Sequence, residues 1–159
     1  MSIREVKAFF AARGMEDKVL EFATSSATVE LAARTVGVIP ARIAKTLSFM
    51  IAEGPLLVVT AGDAKIDNHK YKETFGCKAK MLTPEEAVEL IGHAVGGVCP
   101  FAVKPGVKTC LDVSLQRFTT VFPACGSSNS AIELTCEELY ELSEALAWVD
   151  VCKDWQDAE

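Results

Sequence analysis

The sequence predicts an α+β domain: a mixed, barrel-like β-sheet with helices packed around it. Three observations predict it. Strand-like and helix-like stretches do not alternate strictly, so a doubly wound parallel sheet is the poorer fit. A hairpin signal, Glu53-Gly54-Pro55, joins two long apolar stretches, so at least one strand pair is antiparallel. Helix-start signals recur at Ser2, Thr83 and Thr135, each followed three residues later by a glutamate that can complete a capping box.

The elements follow in order. Ser2 and Glu5 open a first helix, whose apolar stripe is Val6, Phe9 and Phe10 and which Gly14 stops. Val19 to Ala23 reads as a strand. Ser26 or Thr28 caps a second helix through Val36, with Val29, Leu31, Ala32, Ala33 and Val36 as its buried side and Gly37 at its end. Alternation along Ile43–Ile51 puts Ile43, Lys45, Leu47, Phe49 and Ile51 on one face of a strand. Leu56–Ala61 returns as a continuous apolar run, the mark of a strand buried on both faces. Asp67 caps a helix through Phe75, closed by Gly76, and Lys78–Leu82 reads as a strand. Thr83 starts a helix with Pro84 at its first position, running to about Gly92. Val107–Leu111 is a strand, and Asp112 caps one helical turn. Thr119–Ala124 and Ala131–Leu134 are strands flanking a polar loop, Cys125 to Ser130. The helix from Thr135 carries Leu139, Leu142 and Leu146. Trp148–Val151 is a last strand before a polar tail.

A chain of 159 residues, half hydrophobic and 24% charged, is expected to be one globular domain over 1–159. No apolar run approaches the roughly 18–20 residues of a membrane span, and the start is not that of a signal peptide, so the cytoplasm is expected. The six cysteines are scattered without a Cys-x-x-Cys pair, and with only His69 and His93 beside them no metal site or cofactor is expected.

Two features carry possible chemistry. Lys45 shares a strand face with large apolar side chains. It is either a snorkelling ammonium or a lysine at a pocket rim, aimed at a phosphate or carboxylate. The stretch Gly96-Gly97-Val98-Cys99-Pro100-Phe101 starts flexibly and ends rigidly, which suits a loop offering backbone N–H groups to a ligand oxygen. An ordinary turn is the alternative. Gly97 is expected to admit a substrate's close approach, so a side chain there should block binding with little loss of stability.

Arg42-Ile43-Ala44-Lys45-Thr46-Leu47, the loop Gly96 to Phe101, and Gly126-Ser127-Ser128-Asn129-Ser130 through Thr135 occur in that order. Together they resemble the YbaK and prolyl-tRNA synthetase-associated editing-domain family, from about Glu21 to Leu142. The resemblance implies a mixed, barrel-like sheet and a freestanding deacylase that hydrolyses the ester of a mischarged aminoacyl-tRNA. It implies that Lys45 binds the phosphate of the terminal adenosine. Gly96, Gly97, Val98, Cys99 and Pro100 would hold the ester carbonyl, with Phe101, Ser128, Asn129 and Ser130 completing the substrate site. No protein nucleophile is implied, because the substrate's ribose hydroxyl orients water or takes part directly. The implied partner is the 3′ aminoacyl end of tRNA, with a synthetase as a further candidate. Relatives often have Ser or Thr where Cys99 stands, and the branch that edits cysteinyl-tRNA is more basic and glycine-rich at Ser127–Asn129. The resemblance therefore leaves the amino acid open.

A net charge of −6 opposes a polyanionic ligand. Residues 42–117, however, hold ten Lys or Arg against eight Asp or Glu, while residues 133–159 hold one against nine. Lys45, Lys65, Lys70, Lys72, Lys78 and Lys80 form either a basic rim or a normally solvated surface. Two other classes of function stand beside the deacylase. One is a non-catalytic module binding tRNA ends or a synthetase, and the other a thiol hydrolase using Cys99 with His93 or His69.

Overall fold

The computed structural model describes residues 2–24 and 28–155, with the Ser2 side chain outside that set. The cap expected of Ser2 and the alternative cap Ser26 therefore lie outside the described residues. The centre of the fold is the antiparallel hairpin of β2 (Ile43–Ile51) and β3 (Gly54–Ala61), in register from Ala44 opposite Ala61 to Ile51 opposite Gly54. Positions 56–61 of β3 are all buried, because strands cover both its edges and apolar groups both its faces.

The sheet grows outward on both sides of that hairpin. β5 (Lys108–Asp112) lies parallel to β3, and β9 (Trp148–Val149) parallel to β5. On the other side β6 (Thr120–Pro123) lies parallel to β2, and β8 (Leu134–Thr135) antiparallel to β6. The result is a mixed six-stranded sheet, order β8-β6-β2-β3-β5-β9, curled into a half-barrel. Two short ribbons complete it: β1 (Leu20–Glu21) with β7 (Ser130–Ala131), and β4 (Lys65–Ile66) with β10 (Cys152–Lys153).

The helices start and stop where local chemistry dictates. α1 (Ser2–Ala11) buries Val6 and Phe10. α2 (Val29–Val36) is capped by Thr28, whose hydroxyl accepts from Leu31 N, and ends on left-handed Gly37. α3 (Asn68–Phe75) is capped by Asp67 and closed by Gly76. Both internal capping boxes form, at Thr83–Glu86 for α4 (Pro84–Glu86) and at Thr135–Glu138 for α5 (Cys136–Leu142). α4 continues as a π turn over Ala87–Ile91 that Gly92 ends. The main core lies between sheet and helices, with Phe10, Phe49, Tyr71, Phe101, Leu111 and Leu139 among its fully buried side chains.

Several elements differ from the sequence reading, the strands among them through long-range pairing. Lys78–Leu82 forms no strand; it touches β2 through one bridge, Phe49 with Met81, flanked by Leu82 N–H to Ser48 O and Met50 N–H to Lys80 O. Ala131–Leu134 is divided, because Ala131 pairs with β1 and Leu134 with β6. The strand expected over Val19–Ala23 shrinks to two residues, the length of its partner. Leu31 is 42% exposed, and Leu146 lies beyond the end of α5 and is 61% exposed. The tail expected to be polar instead supplies β10.

Candidate functional site

Along β2 the sheet comes apart. β6 pairs with it only at Ile43 and Ala44, and the 80–82 segment rejoins the same edge only from Ser48 onward. Since Ser48 and Met50 turn their backbone groups to that edge, Thr46 must do so as well. Its N–H and C=O meet no strand there, and its Oγ1 is buried with no hydrogen-bond partner among the described residues. A cleft of about 280 Å³ occupies the gap, near the lower end of small-molecule sites, roughly 300–1,000 Å³. Because the strand edge faces it, consecutive residues from Ile43 to Ser48 all line it.

The apolar part of the lining comes from Val29, Ala32 and Val36 of α2, which pack with Ile43 of β2 and Phe122. Exposed Met81 and Val95 stand at the mouth. Lys45 lines the cleft half-buried, with no ion-pair partner among the described residues. Loss of solvation lowers its pKa below the ordinary 10.5, and the neighbouring Cys152 and Asp63 only partly counter this. An ammonium short of solvation is a natural place for an anion to bind.

The far end of the cleft is built from two loops in contact. Gly97 donates its N–H to Ala94 O at 3.0 Å, so that amide is already used. A Cβ on Gly97 would stand 2.6 Å from the carbonyl carbon of Gly126 and 2.7 Å from Ser127 N. The close approach that needs this glycine is therefore to the protein's own backbone, and the expectation of a stability-neutral substitution is corrected. Gly96 (φ 97°) and Val98 line the cleft, and their N–H groups find no acceptor among the described residues. In the second loop Ser127 Oγ lies 2.8 Å from both Asn129 Oδ1 and Ser130 Oγ. Asn129 Nδ2 donates to Phe22 O at 2.9 Å, fastening the loop to the residue that follows β1.

Of the residues singled out from sequence, Lys45, Gly96, Val98, Ser128 and Ser130 meet at this cleft. Gly97, Cys99, Pro100, Phe101 and Asn129 are not among its lining residues. Phe101 is a core side chain packed on Phe9 and Phe10, at ring-centroid distances of 5.9 and 4.9 Å, so its ring belongs to the core and does not line the cleft. Pro100 has no N–H to offer, and the Asn129 side chain is used in holding its own loop. Thr46, Ser48, Phe122 and the inner face of α2 were missed as site residues. Their sequence signal, alternation and a helical stripe, looks the same for a core face and a cleft wall.

Cys99 and His93 do come together, Sγ to Nε2 at 3.7 Å, but not as a nucleophile and its base. Nε2 lies 2.7 Å from Phe101 O, which can only accept, so this nitrogen carries the proton and cannot take one from the thiol. Complete burial pushes the Cys99 thiol up to about 12, and the thiol does not reach the cleft. His69 is exposed on α3 beside Glu73. The thiol hydrolase is excluded on this geometry. Among the described residues no group of three His, Cys, Asp or Glu is placed to hold a metal ion, and no helix is long and apolar enough to cross a membrane.

The family model described as an aminoacyl-tRNA editing domain matches residues 23–142. The chain is 58% identical to the uncharacterized protein YwhH of Bacillus subtilis, over 98% of this chain and 100% of that protein. It is 31% identical to the proline–tRNA ligase of Halalkalibacterium halodurans over 65% of this chain, a segment that makes up only 18% of the ligase. A crystal structure of a candidate trans-editing enzyme for prolyl tRNA synthetase superposes with a TM-score of 0.86 at 31% identity. It covers 96% of this chain and 97% of that one.

Proposed function

The chain belongs to the aminoacyl-tRNA editing domain family, and on that footing we propose that it is a freestanding deacylase acting in trans on mischarged aminoacyl-tRNA. The observation that carries this is the cleft itself, whose lining includes an unpaired, poorly solvated ammonium and, in Gly96 and Val98, two residues with unused backbone amides. Lys45 takes the phosphate of the terminal adenosine. The Gly96 and Val98 N–H groups receive the ester carbonyl oxygen and the charge that develops on it. Water adds to the carbonyl carbon, the bond to the ribose oxygen breaks, and that oxygen leaves with a proton. The whole chain, 1–159, acts as one unit in the cytoplasm, with the 3′ end of tRNA as its ligand and a synthetase as a possible docking partner.

A large excess of mischarged tRNA tests this reading against the non-catalytic module. The deacylase consumes the excess, whereas a module that only binds leaves the ester intact. Because no thiol reaches the cleft, Cys99→Ser should keep most of the turnover. Abolished turnover in a folded Cys99→Ser protein would bring the thiol back into the reaction.

A further inference from the structure

The loop that carries Gly96 and Val98 is closed at its neck by two cross-links. Lys104 N–H donates to Ile91 O at 3.0 Å, and further in the His93 ring reaches across to Phe101 O. With the proton on Nε2, Nδ1 holds a lone pair that is buried and without a partner among the described residues. An unpaired buried acceptor is costly, and a purely apolar ring would fill the same space without that cost. The donor nitrogen is therefore the reason for a histidine at this position. Its acceptor is a fixed point, since the Phe101 ring is clamped by Phe9 and Phe10 of α1.

Resting on the reading of this loop as the one that holds the ester, we propose that His93 is a positioning residue for Gly96 and Val98. Its Nε2–H···O bond to Phe101 sets the width of the loop's neck, and so the place at which the two amides meet the carbonyl. His93 touches no substrate. Its effect should fall on the rate of the chemical step rather than on binding, because Lys45 holds the phosphate independently.

The groups that act on the ring are Glu5 of α1 and, 3.7 Å away, the Cys99 thiol. Burial holds the imidazole pKa below its ordinary 6.5, against the opposing pull of the Phe101 carbonyl and Glu5. The neutral ring is the form that the fold keeps. Its contribution is complete above pH 6.5 and is lost as pH falls through the lowered value, where a second buried N–H would lack an acceptor.

The test compares His93→Phe and His93→Gln with wild type, by deacylation kinetics and by amide hydrogen exchange over residues 94–99. His93→Phe should lower kcat by up to roughly 100-fold with KM little changed, since a misplacement of about 1 Å can cost that much. It should also speed exchange in the loop. His93→Gln, which can still donate to Phe101 O, should restore most of both and should keep its loop protection in acid where wild type loses it. Should His93→Phe fail to fold, the acid behaviour of His93→Gln carries the test alone. Unchanged kcat and loop protection in His93→Phe, or a His93→Gln loop that opens in acid as wild type does, would overturn the proposal. If no protein, wild type included, hydrolyses any ester, the deacylase reading fails, while the exchange data still judge His93 on their own.

Discussion

Lys45→Ala is expected to lower deacylation by roughly 30- to 1,000-fold. Truncating an ammonium that pairs with a phosphate in a partly buried site costs on the order of 2–4 kcal/mol, and each 1.4 kcal/mol is about tenfold in rate. Lys45 is half-buried, its pKa is lowered chiefly by lost solvation, and it has no ion-pair partner among the described residues. The empty protein therefore gains little from the charge. In thermal melts Lys45→Ala should be at least as stable as wild type, since an unfavourable charge has been removed from an apolar wall. Lys45→Arg should rescue poorly, because a planar fork does not replace a compact point charge in a cleft this small. A large fall in melting temperature for Lys45→Ala would recast the lysine as structural, and unchanged kinetics would remove it from the site.

Gly97→Val should be the most damaging substitution in the loop. Its Cβ would overlap the Gly126–Ser127 backbone, and backbone cannot step aside as a side-chain end can. The cost should lie at or above the upper end of overpacking, about 3 kcal/mol, lowering the melting temperature by roughly 6–12 °C in a chain of this size. Activity should fall with it, since the same contact sets where Gly96 and Val98 stand. Gly96→Ala is the contrast. Among the described residues its Cβ would meet only the Ser128 Cβ, at 3.6 Å, leaving about 1–2 kcal/mol of left-handed backbone strain. Melts and kinetics on the two variants should rank Gly97→Val well below Gly96→Ala, and equal stability would mean that the two loops do not touch as described.

The contrast between these glycines marks what a sequence can disclose. Helix ends were legible because their chemistry is local: Asp67 with Lys70, Thr83 with Glu86 and Thr135 with Glu138 each act across three residues. The central hairpin was legible because an apolar run, a turn signal and a second apolar run adjoin in the chain. The Lys45 face was legible by alternation, and Leu47, Phe49 and Ile51 do pack on the main core. What remained hidden depends on segments far apart in the chain. The gap at Thr46 exists because β6 and the 80–82 segment each stop short along one edge of β2. The role of Gly97 depends on a loop nearly thirty residues downstream. The same holds for Phe101, whose place in the core is set by α1 at the other end of the chain and was concealed by its position next to a glycine loop.

The most direct test of the account is release of amino acid from a panel of alanyl, seryl, threonyl and cysteinyl esters of tRNA by catalytic amounts of the wild-type protein. The apolar wall of Val29, Ala32, Val36, Ile43 and Phe122 around a small cleft predicts that at least one small ester is hydrolysed over many turnovers. If every ester in the panel decays at its spontaneous rate while the protein is folded and binds the tRNA, the cleft is not a deacylase site and the account is contradicted.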